Sequence, residues 1–343
     1  MPIRTVGMLL LLVQIAALGG APIQAAPGDS RSEPAPLATE VVAGPWRLTV
    51  AEVVTGDAAT EQVLAANPAN EAPRDGFTYV AVRITAVNDG DQPLEITGDD
   101  FALTTASGVV RRFTGAVPPD PALDGVAQPG ETRDGWVVLG APVDDEDLLL
   151  LYDSVSLSGD WADRVFALSD GAAIDPADSP LAEANEVGLT PDDPAGIGDA
   201  IVTDDWEVEL LGIASCEEVF DMSDFRVQAL QVGDSYDSAP WLAVNLKITN
   251  IRVGGDPAYL STTAFMLVES DGSTTSNVIT LTAPSPDASG TYYPGATREG
   301  WVAFELPAPY VDSGTTLIRF LPFRGEPDER FISFGEEWTD CRR

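Results

Sequence analysis

The side chains of this protein that could do chemistry are mostly carboxylates: 55 acidic residues stand against 18 basic ones, a formal net charge of −37. Two acidic stretches could supply oxygen ligands to a calcium ion, residues 144–147 (DDED) and the pair Asp192-Asp193. Neither has the DxDxDG spacing of a loop that wraps the ion, so an acidic surface is the favoured interpretation. Paired carboxylates could also hydrolyse a glycosidic bond, which requires a defined separation across a cleft.

The chain lacks histidine, and this excludes several kinds of active site. Ser-His-Asp and Cys-His catalysis need an imidazole, and so do histidine-ligated zinc and haem. Lys247, the only lysine, could in principle activate a serine, but it falls on the polar face of a predicted strand, which favours a solvated or ion-paired role. The GxSxG, P-loop and dinucleotide fingerprints are also missing. We therefore predict a non-enzymatic protein with no catalytic residues, metal ligands or cofactor.

The two cysteines, Cys216 and Cys341, lie 125 positions apart, too few and too distant for a zinc site of the CxxC…CxxC type. If the chain is exported, both meet an oxidising compartment. We predict a Cys216–Cys341 disulfide, which in the chain-entropy model would contribute about 4 to 5 kcal/mol of stability.

The seven tryptophans could form a sugar-stacking surface. Five of them, however, occupy strand positions that match between two similar parts of the chain, which favours buried cores: Trp46, Trp136, Trp206, Trp241 and Trp301. Trp161 and Trp338 lie outside these matched positions and are the better candidates for an exposed contact.

The elements that position these residues are predicted by repeated phrases. "PGETRDGWVVLGAP" (129–142) recurs as "PGATREGWVAFELP" (294–307), and "WRLTVAEVVTG" (from 46) recurs as "WEVELLGIASC" (from 206). "YVAVRITAVN" (from 79) likewise matches "WLAVNLKITN" (from 241). The offset grows from 160 to 166 along the chain, as small loop insertions would produce. The sequence therefore predicts an internal duplication.

Each copy has the pattern of short strands. Apolar and polar residues alternate in 80–85 and 242–249, and turn signals separate such stretches. Pro-Gly suits a tight turn, while Gly135 and Gly300, each before a tryptophan, indicate a bulge or a close backbone approach. We predict an all-β fold of two tandem immunoglobulin-like antiparallel β-sandwiches.

Three of these phrases also carry a resemblance. "YVAVRITAVNDGDQPLEI", the Phe-centred "DDFALTTASG" and the Pro-Gly turn into "GWVVL" resemble the telokin-like, immunoglobulin-like domain of unknown function of secreted bacterial proteins and lipoproteins. That family is related to the mycobacterial immunoprotective extracellular antigen. The resemblance covers residues 40–168 and 200–335 and implies the fold, but it implies no catalytic residues. The lipid-anchoring cysteine frequent in relatives is absent from this sequence.

The remaining segments predict how the chain is divided. Residues 1–26 resemble a secretory signal peptide, with Arg4 before an apolar run and small residues at its end. A flexible segment at 27–39 and an acidic, Pro-rich linker at 170–199 then flank a first sandwich at 40–169, and the second sandwich follows at 200–343.

We therefore predict a secreted binding or structural module whose partner is an unknown extracellular protein, glycan or envelope component. The negative charge disfavours nucleic acid, and no stretch after the signal is long enough to span a membrane. Two alternatives stay open: a calcium-stabilised envelope or adhesion protein, and an extracellular hydrolase that uses a carboxylate pair. Melting in millimolar calcium tests the first, and a cleft that joins two acids would support the second.

Overall fold

The computed structural model describes residues 27–112, 114–152, 164–176, 181–215, 219, 241–269, 272–276, 286–305, 316–322 and 328–334. The predicted signal peptide, Cys216, Cys341, Trp161 and Trp338 fall outside these residues, so the predictions made on them stay predictions.

Ten strands and one α-helix are described in the first half of the chain, residues 27–176. They are β1 (Glu40–Ala43), β2 (Trp46–Thr55), α1 (Gly56–Ala66), β3 (Phe77–Asn88), β4 (Leu94–Ile96), β5 (Phe101–Thr104), β6 (Val109–Val110), β7 (Gly125–Ala127), β8 (Thr132–Pro142), β9 (Leu149–Tyr152) and β10 (Arg164–Ala167).

Ten strands are described in the second half, residues 181–334. They are β11 (Ala200–Val202), β12 (Trp206–Ser215), β13 (Trp241–Asn250), β14 (Ala258–Leu260), β15 (Phe265–Val268), β16 (Thr274–Ser276), β17 (Gly290–Tyr292), β18 (Thr297–Glu305), β19 (Leu317–Phe320) and β20 (Arg330–Ser333). A 3₁₀ turn precedes the fifth strand of each half, at Gly98–Asp100 and Thr262–Ala264.

The two halves have nearly the same topology. The sheet β1-β2-β3-β8 corresponds to β11-β12-β13-β18, and the pairs β4-β7, β5-β9 and β9-β10 correspond to β14-β17, β15-β19 and β19-β20. All these pairings are antiparallel. The register even shifts at matching places, between Val50 and Glu52 and between Leu210 and Gly212. The all-β antiparallel fold predicted from the sequence is confirmed.

Each half buries its core between two sheet layers, as in a sandwich. Alternate residues of β2, β3 and β8 pack against aromatic side chains from β5, β9 and β10 in the first half, and the second half does the same with β12, β13 and β18. The faces predicted by alternation are confirmed: Val80, Val82 and Ile84 are fully buried, and so are Val244, Leu246 and Ile248. Trp46 and Trp206 lie in the two cores, as predicted.

The repeated glycine before tryptophan has a steric explanation. A Cβ on Gly135 would lie 2.4 Å from the backbone carbon of Ala122, and one on Gly300 would lie 2.7 Å from the Cα of Ala288. The neighbouring tryptophans complete the same contact, because the amide of Trp136 donates to the carbonyl of Pro121 over 2.9 Å, and its counterpart in β18 donates to Pro286. The predicted close backbone approach is therefore confirmed in both halves.

A buried asparagine holds the Pro-Gly turn in each half. The carbonyl of Asn88 accepts from the amide of Gly130 over 2.7 Å, and the carbonyl of Asn250 accepts from Gly295 over 2.8 Å. Both glycines have positive φ, +77° and +87°, a conformation that favours glycine. The side-chain amides of the two asparagines donate to the carbonyls of Ala127 and Tyr292, the last residues of β7 and β17, so each buried amide is paired.

The segments expected to be flexible or linking also repeat. Ala35 bridges to Phe166 of β10, and Ala195 bridges to Ile332 of β20, both in parallel. The amide of Val165 donates to the carbonyl of Gly28, as the amide of Phe331 does to that of Gly188. In the structure, part of 27–39 and the end of 170–199 are therefore matching lead-ins that hydrogen-bond to the last strand of each half.

The sequence analysis did not predict α1, which lies on the outer face of the first sheet. Its Ala59 and Val63 pack with Tyr79 and Trp136 in a second apolar cluster. Trp136 is therefore buried outside the sandwich core, while its counterpart Trp301 is half-buried. The two tryptophans share backbone contacts but differ in what covers their rings. The side chain of Trp241 is outside the described set.

Tyr292 gives a test of the second core. Its ring lies edge-on to Trp206 with centroids 5.6 Å apart, and its hydroxyl donates to the carbonyl of Ala288 over 2.7 Å. Burial raises the pKa of Tyr292 to about 12, above the ordinary value of about 10. Because the pKa of Tyr292 is higher in the folded protein than in the unfolded chain, the neutral hydroxyl stabilises the fold. This stabilisation is fully present below pH 10 and is lost as the pH rises through 12.

We expect Tyr292→Phe to lower the free energy of unfolding by about 1 kcal/mol at pH 7, because the carbonyl of Ala288 loses its donor. The variant should also lose less stability than the parent when the pH rises above 10. Urea unfolding at pH 7, 10 and 11 measures both effects. Equal alkaline losses in the two proteins would contradict the assignment.

Candidate functional site

Within the acidic run 144–147, the half-buried Asp145 contacts the turn after β5. Asp145 accepts hydrogen bonds from the hydroxyls of Thr105, over 2.6 Å, and Ser107, over 3.2 Å. Its carboxylate also lies 3.9 Å from the guanidinium of Arg111. Within the described ranges, no group of three or more acids is arranged to hold a metal ion. Asp145 therefore orders the turn after β5 and positions Arg111.

The other predicted candidates lie apart from this turn. Lys247 is 43% exposed on β13, and its ammonium lies 3.9 Å from the carboxylate of Glu209 on the neighbouring strand. That is the ion-paired lysine favoured by the sequence analysis. Asp192 and Asp193 are exposed in a turn closed by the amide of Asp193 on the carbonyl of Thr190.

Strand β6 joins the two halves. It pairs with β17 in antiparallel register, Val109 opposite Tyr292 and Val110 opposite Thr291. Val109 is buried in the core of the second half, and Tyr293 is buried on the outer face of β5, β9 and β10. The two halves are therefore held together by backbone pairing and by an apolar side chain that each half buries in the other.

Arg31 supports the same junction. Its guanidinium carbon lies 3.6 Å from the centroid of the Tyr293 ring, and only 6% of the residue is exposed. The pKa of Arg31 is lowered, because the effect of burial outweighs the opposite effect of Tyr293. The carbonyl of Arg31 accepts from the amide of Ile174, so the lead-in of the first half and the segment after β10 both meet the second half here.

A groove of about 1160 Å³ opens beside the junction. The first half contributes residues between 71 and 79 and between 109 and 114, and the second half contributes residues between 286 and 298. Tyr259, 65% exposed, stands at the rim. Ligand sites often lie where two such units meet.

Four arginines line the groove: Arg74, Arg111, Arg112 and Arg298. The guanidinium carbon of Arg74 lies 3.8 Å from the centroid of the Phe77 ring, and that of Arg111 lies 5.9 Å from it. Cation–π contacts at these distances are attractive, so the Phe77 ring helps to place two cations.

Arg298 has a matched residue in the first half, Arg133. Arg298 donates to the carbonyl of Ser289 over 3.0 Å, and Arg133 donates to the carbonyl of Asp124 over 2.6 Å. Each thus braces the loop before a glycine with positive φ. Only Arg298 lines the groove.

The first half also has an ion pair next to Arg133, between Arg83 of β3 and Asp134 of β8. Asp134 accepts from Arg83, over 2.6 and 2.9 Å, and from Thr85 over 2.8 Å. Burial alone would raise the pKa of Asp134, but these hydrogen bonds lower it overall.

The electrostatics of the groove differ from those of the whole chain. Among the described residues, four arginines face three acids on its lining, Glu71, Asp75 and Asp287, whereas the chain carries −37. Burial lowers the pKa of Arg111, Asp145 raises it, and the neighbouring cations Arg298 and Arg74 lower it further. The groove is thus a locally basic place on an acidic protein, suited to binding.

This groove was not predicted from the sequence. Three of its arginines are far apart in sequence, and nothing local marks Arg74 or Arg298 as neighbours of Arg111. The one clue in the sequence is the scarcity of basic residues. Because the chain has only 18 of them in 343 residues, two adjacent arginines, Arg111 and Arg112, indicate a possible binding position.

The fold and the groove define a class: an all-β protein of antiparallel sandwich architecture with a basic groove beside an inter-strand junction. Residues 39–163 match the family described as a domain of unknown function, DUF4352. The resemblance expected from the sequence is confirmed for the first half. A search of curated proteins found no match.

Solved structures with related folds come from several bacteria. MPT63, a secreted protein from Mycobacterium tuberculosis, is 12% identical and covers 40% of this chain and 95% of its own, with a TM-score of 0.28. The yjhA protein from Bacillus subtilis is 15% identical over 39% and 98%, with a TM-score of 0.27. The lipoprotein candidate ycdA from the same species is 12% identical over 62% and 73%, with a TM-score of 0.31.

These comparisons name neither a reaction nor a ligand. Among the described helices, none has both the length and the apolar composition needed to cross a bilayer.

Proposed function

We propose that this protein is an exported, non-enzymatic binding module made of two tandem sandwich domains that bind a ligand in the groove at their junction. The observation that carries the proposal is the shared lining of the groove, with Arg74 and Arg111 from one half and Tyr259 and Arg298 from the other. The names of MPT63, a secreted protein, and ycdA, a lipoprotein candidate, support an extracellular or envelope location.

The domain boundaries of the proposal follow the matching lead-ins. The first domain extends from Gly28 to the end of β10, and the second extends from Gly188 to the end of β20. In this division the linker is a shorter stretch than expected, residues 168–187. Because β6 pairs with β17, the two domains keep a defined junction and a groove that exists before the ligand arrives.

Binding is favoured over hydrolysis by the groups that line the groove. The carboxylate of Asp287 already accepts from the amide of Ser289, and the carboxylate of Asp145 is paired with Arg111. An acid that serves as general base needs a free approach to substrate. These contacts engage both carboxylates, whereas guanidiniums and an exposed ring are common in binding sites.

Ligand-observed saturation-transfer NMR tests the proposal on the exported chain. A panel of anionic, neutral and cationic metabolites is screened against the parent, Tyr259→Ala and Val126→Ala. Tyr259 is exposed at the groove, and Val126, 51% exposed, is a similarly exposed apolar residue that does not line it. We expect at least one panel member to bind, with a signal at least halved in Tyr259→Ala and unchanged in Val126→Ala.

The same spectra report turnover. No panel member should be converted over a day of incubation. New product resonances would favour a hydrolase, and binders that respond equally to both variants would place the ligand outside the groove.

A further inference from the structure

We propose that the groove is an oxyanion site that binds a phosphate or carboxylate group of its ligand. This inference rests on the proposed function, since it names the chemical class of the ligand in the same groove. The ligand can be a small molecule or the charged end of a larger one, because one side of the groove is open beside Tyr259.

The distribution of positive charge is the first argument. The chain has 18 basic residues, and four of them line this one groove. In the whole chain acidic residues outnumber basic ones about three to one, 55 against 18. On the described lining of the groove this order is reversed, with four arginines and three acids, so the groove favours an anion more than the chain as a whole does.

The incomplete neutralisation of Arg111 is the second argument. Its side chain is 21% exposed, and its ion pair with Asp145 is long, 3.9 Å. Asp145 also accepts from Thr105 and Ser107, so its carboxylate is shared among three donors. Like charges on Arg74 and Arg298 act on Arg111 from the groove side. A desolvated cation next to other cations is stabilised when an anion enters.

The placement of the guanidiniums is the third argument. Arg74 is stacked on Phe77, and Arg298 is fixed by the carbonyl of Ser289. A guanidinium that is already oriented loses little side-chain entropy when it binds, and its planar pair of N–H donors matches two oxygens of a phosphate or carboxylate. The groove thus offers oriented donors from both halves.

Isothermal titration calorimetry on the exported chain tests the inference, with inorganic phosphate, pyrophosphate and citrate as probes and acetate as a singly charged reference. The buffer contains 0.15 M salt, which screens the charge of the remaining surface beyond about 8 Å. Arg298→Gln and Arg112→Gln remove groove cations; Arg112 is exposed and is the variant least able to disturb folding. Arg133→Gln is the matched control, because it removes the same bracing contact outside the groove.

We expect pyrophosphate or citrate to bind, and each groove variant to bind it at least tenfold more weakly, while Arg133→Gln stays within twofold of the parent. Preference for pyrophosphate over citrate would assign a phosphate source, and the reverse a carboxylate source. Equal weakening in Arg298→Gln and Arg133→Gln, with Arg112→Gln unchanged, would overturn the inference. So would no binding of any oxyanion. If neutral or cationic metabolites then still bind with sensitivity to Tyr259→Ala, the proposed function stands without the oxyanion site.

Discussion

Gly135→Ala is expected to lower the free energy of unfolding by about 3 kcal/mol or more, the upper end for overpacking a close contact. The added methyl group would lie 2.4 Å from backbone atoms of Ala122 and Leu123. Backbone on both sides of the contact leaves no flexible side-chain end to move away. The shift would also separate the amide of Trp136 from the carbonyl of Pro121, which it meets at 2.9 Å. Chemical denaturation followed by tryptophan fluorescence measures the loss.

Gly212→Ala is the matched control for this prediction. Gly212 also lies in a strand of the main sheet, but within the described part of the chain no atom beyond its chain neighbours lies within 4 Å of the position that its Cβ would take. We expect its stability to change by less than about 1 kcal/mol. A Gly135→Ala protein as stable as the control would show that the loop at 121–123 moves freely, contrary to the role given to the repeated phrase.

Asn88→Ala is expected to cost about 3 kcal/mol. Asn88 is fully buried, and its side-chain amide donates to the carbonyls of Gln92, over 2.8 Å, and Ala127, over 2.9 Å. Alanine would leave the buried carbonyl of Ala127 without this donor and would release the amide of Gly90 from its acceptor. Each unpaired buried group costs about 1 to 3 kcal/mol. Urea unfolding gives the difference directly.

Two further variants serve as references for the stability loss of Asn88→Ala. Asn250→Ala should cost about 2 kcal/mol, since among the described residues the side-chain amide of Asn250 makes one donation, to the carbonyl of Tyr292 over 2.7 Å. Asn67→Ala removes an exposed hydrogen bond to the amide of Ala69 and should cost less than about 1 kcal/mol. The interpretation fails if Asn88→Ala costs no more than Asn67→Ala.

Much of the fold follows from local pattern. Alternation in 80–85 and 242–249 identifies which residues enter the cores, because successive side chains of a strand point to opposite faces. Pro-Gly and the following glycine identify the turn and the close approach, since both are consequences of backbone geometry at single residues. The helix α1 was harder to predict: eleven residues with only Ala59 and Val63 buried give a weak helical pattern.

The lead-ins show how composition can mislead. Residues 27–39 and 170–199 have the proline, glycine and charge content of linkers. Yet Ala35 and Ala195 each bridge to a final strand and are almost fully buried. The similarity of "EPAP" and "DPAG" at the same offset of 160 was visible but short. Two or three backbone hydrogen bonds suffice to hold such a segment, and composition does not report them.

The strand content, the facing of the strands, the repeated phrases and the exclusion of imidazole chemistry follow from the amino-acid sequence alone. These properties depend on residue types and on spacings of a few positions. Tertiary contacts select the pairing of β6 with β17 and bring Arg298 into one groove with Arg74 and Arg111. The pairing of β6 with β17, and the approach of Arg298 to the other two arginines, join residues more than 180 positions apart. The energy that selects these contacts arises only when both surfaces are formed and brought together.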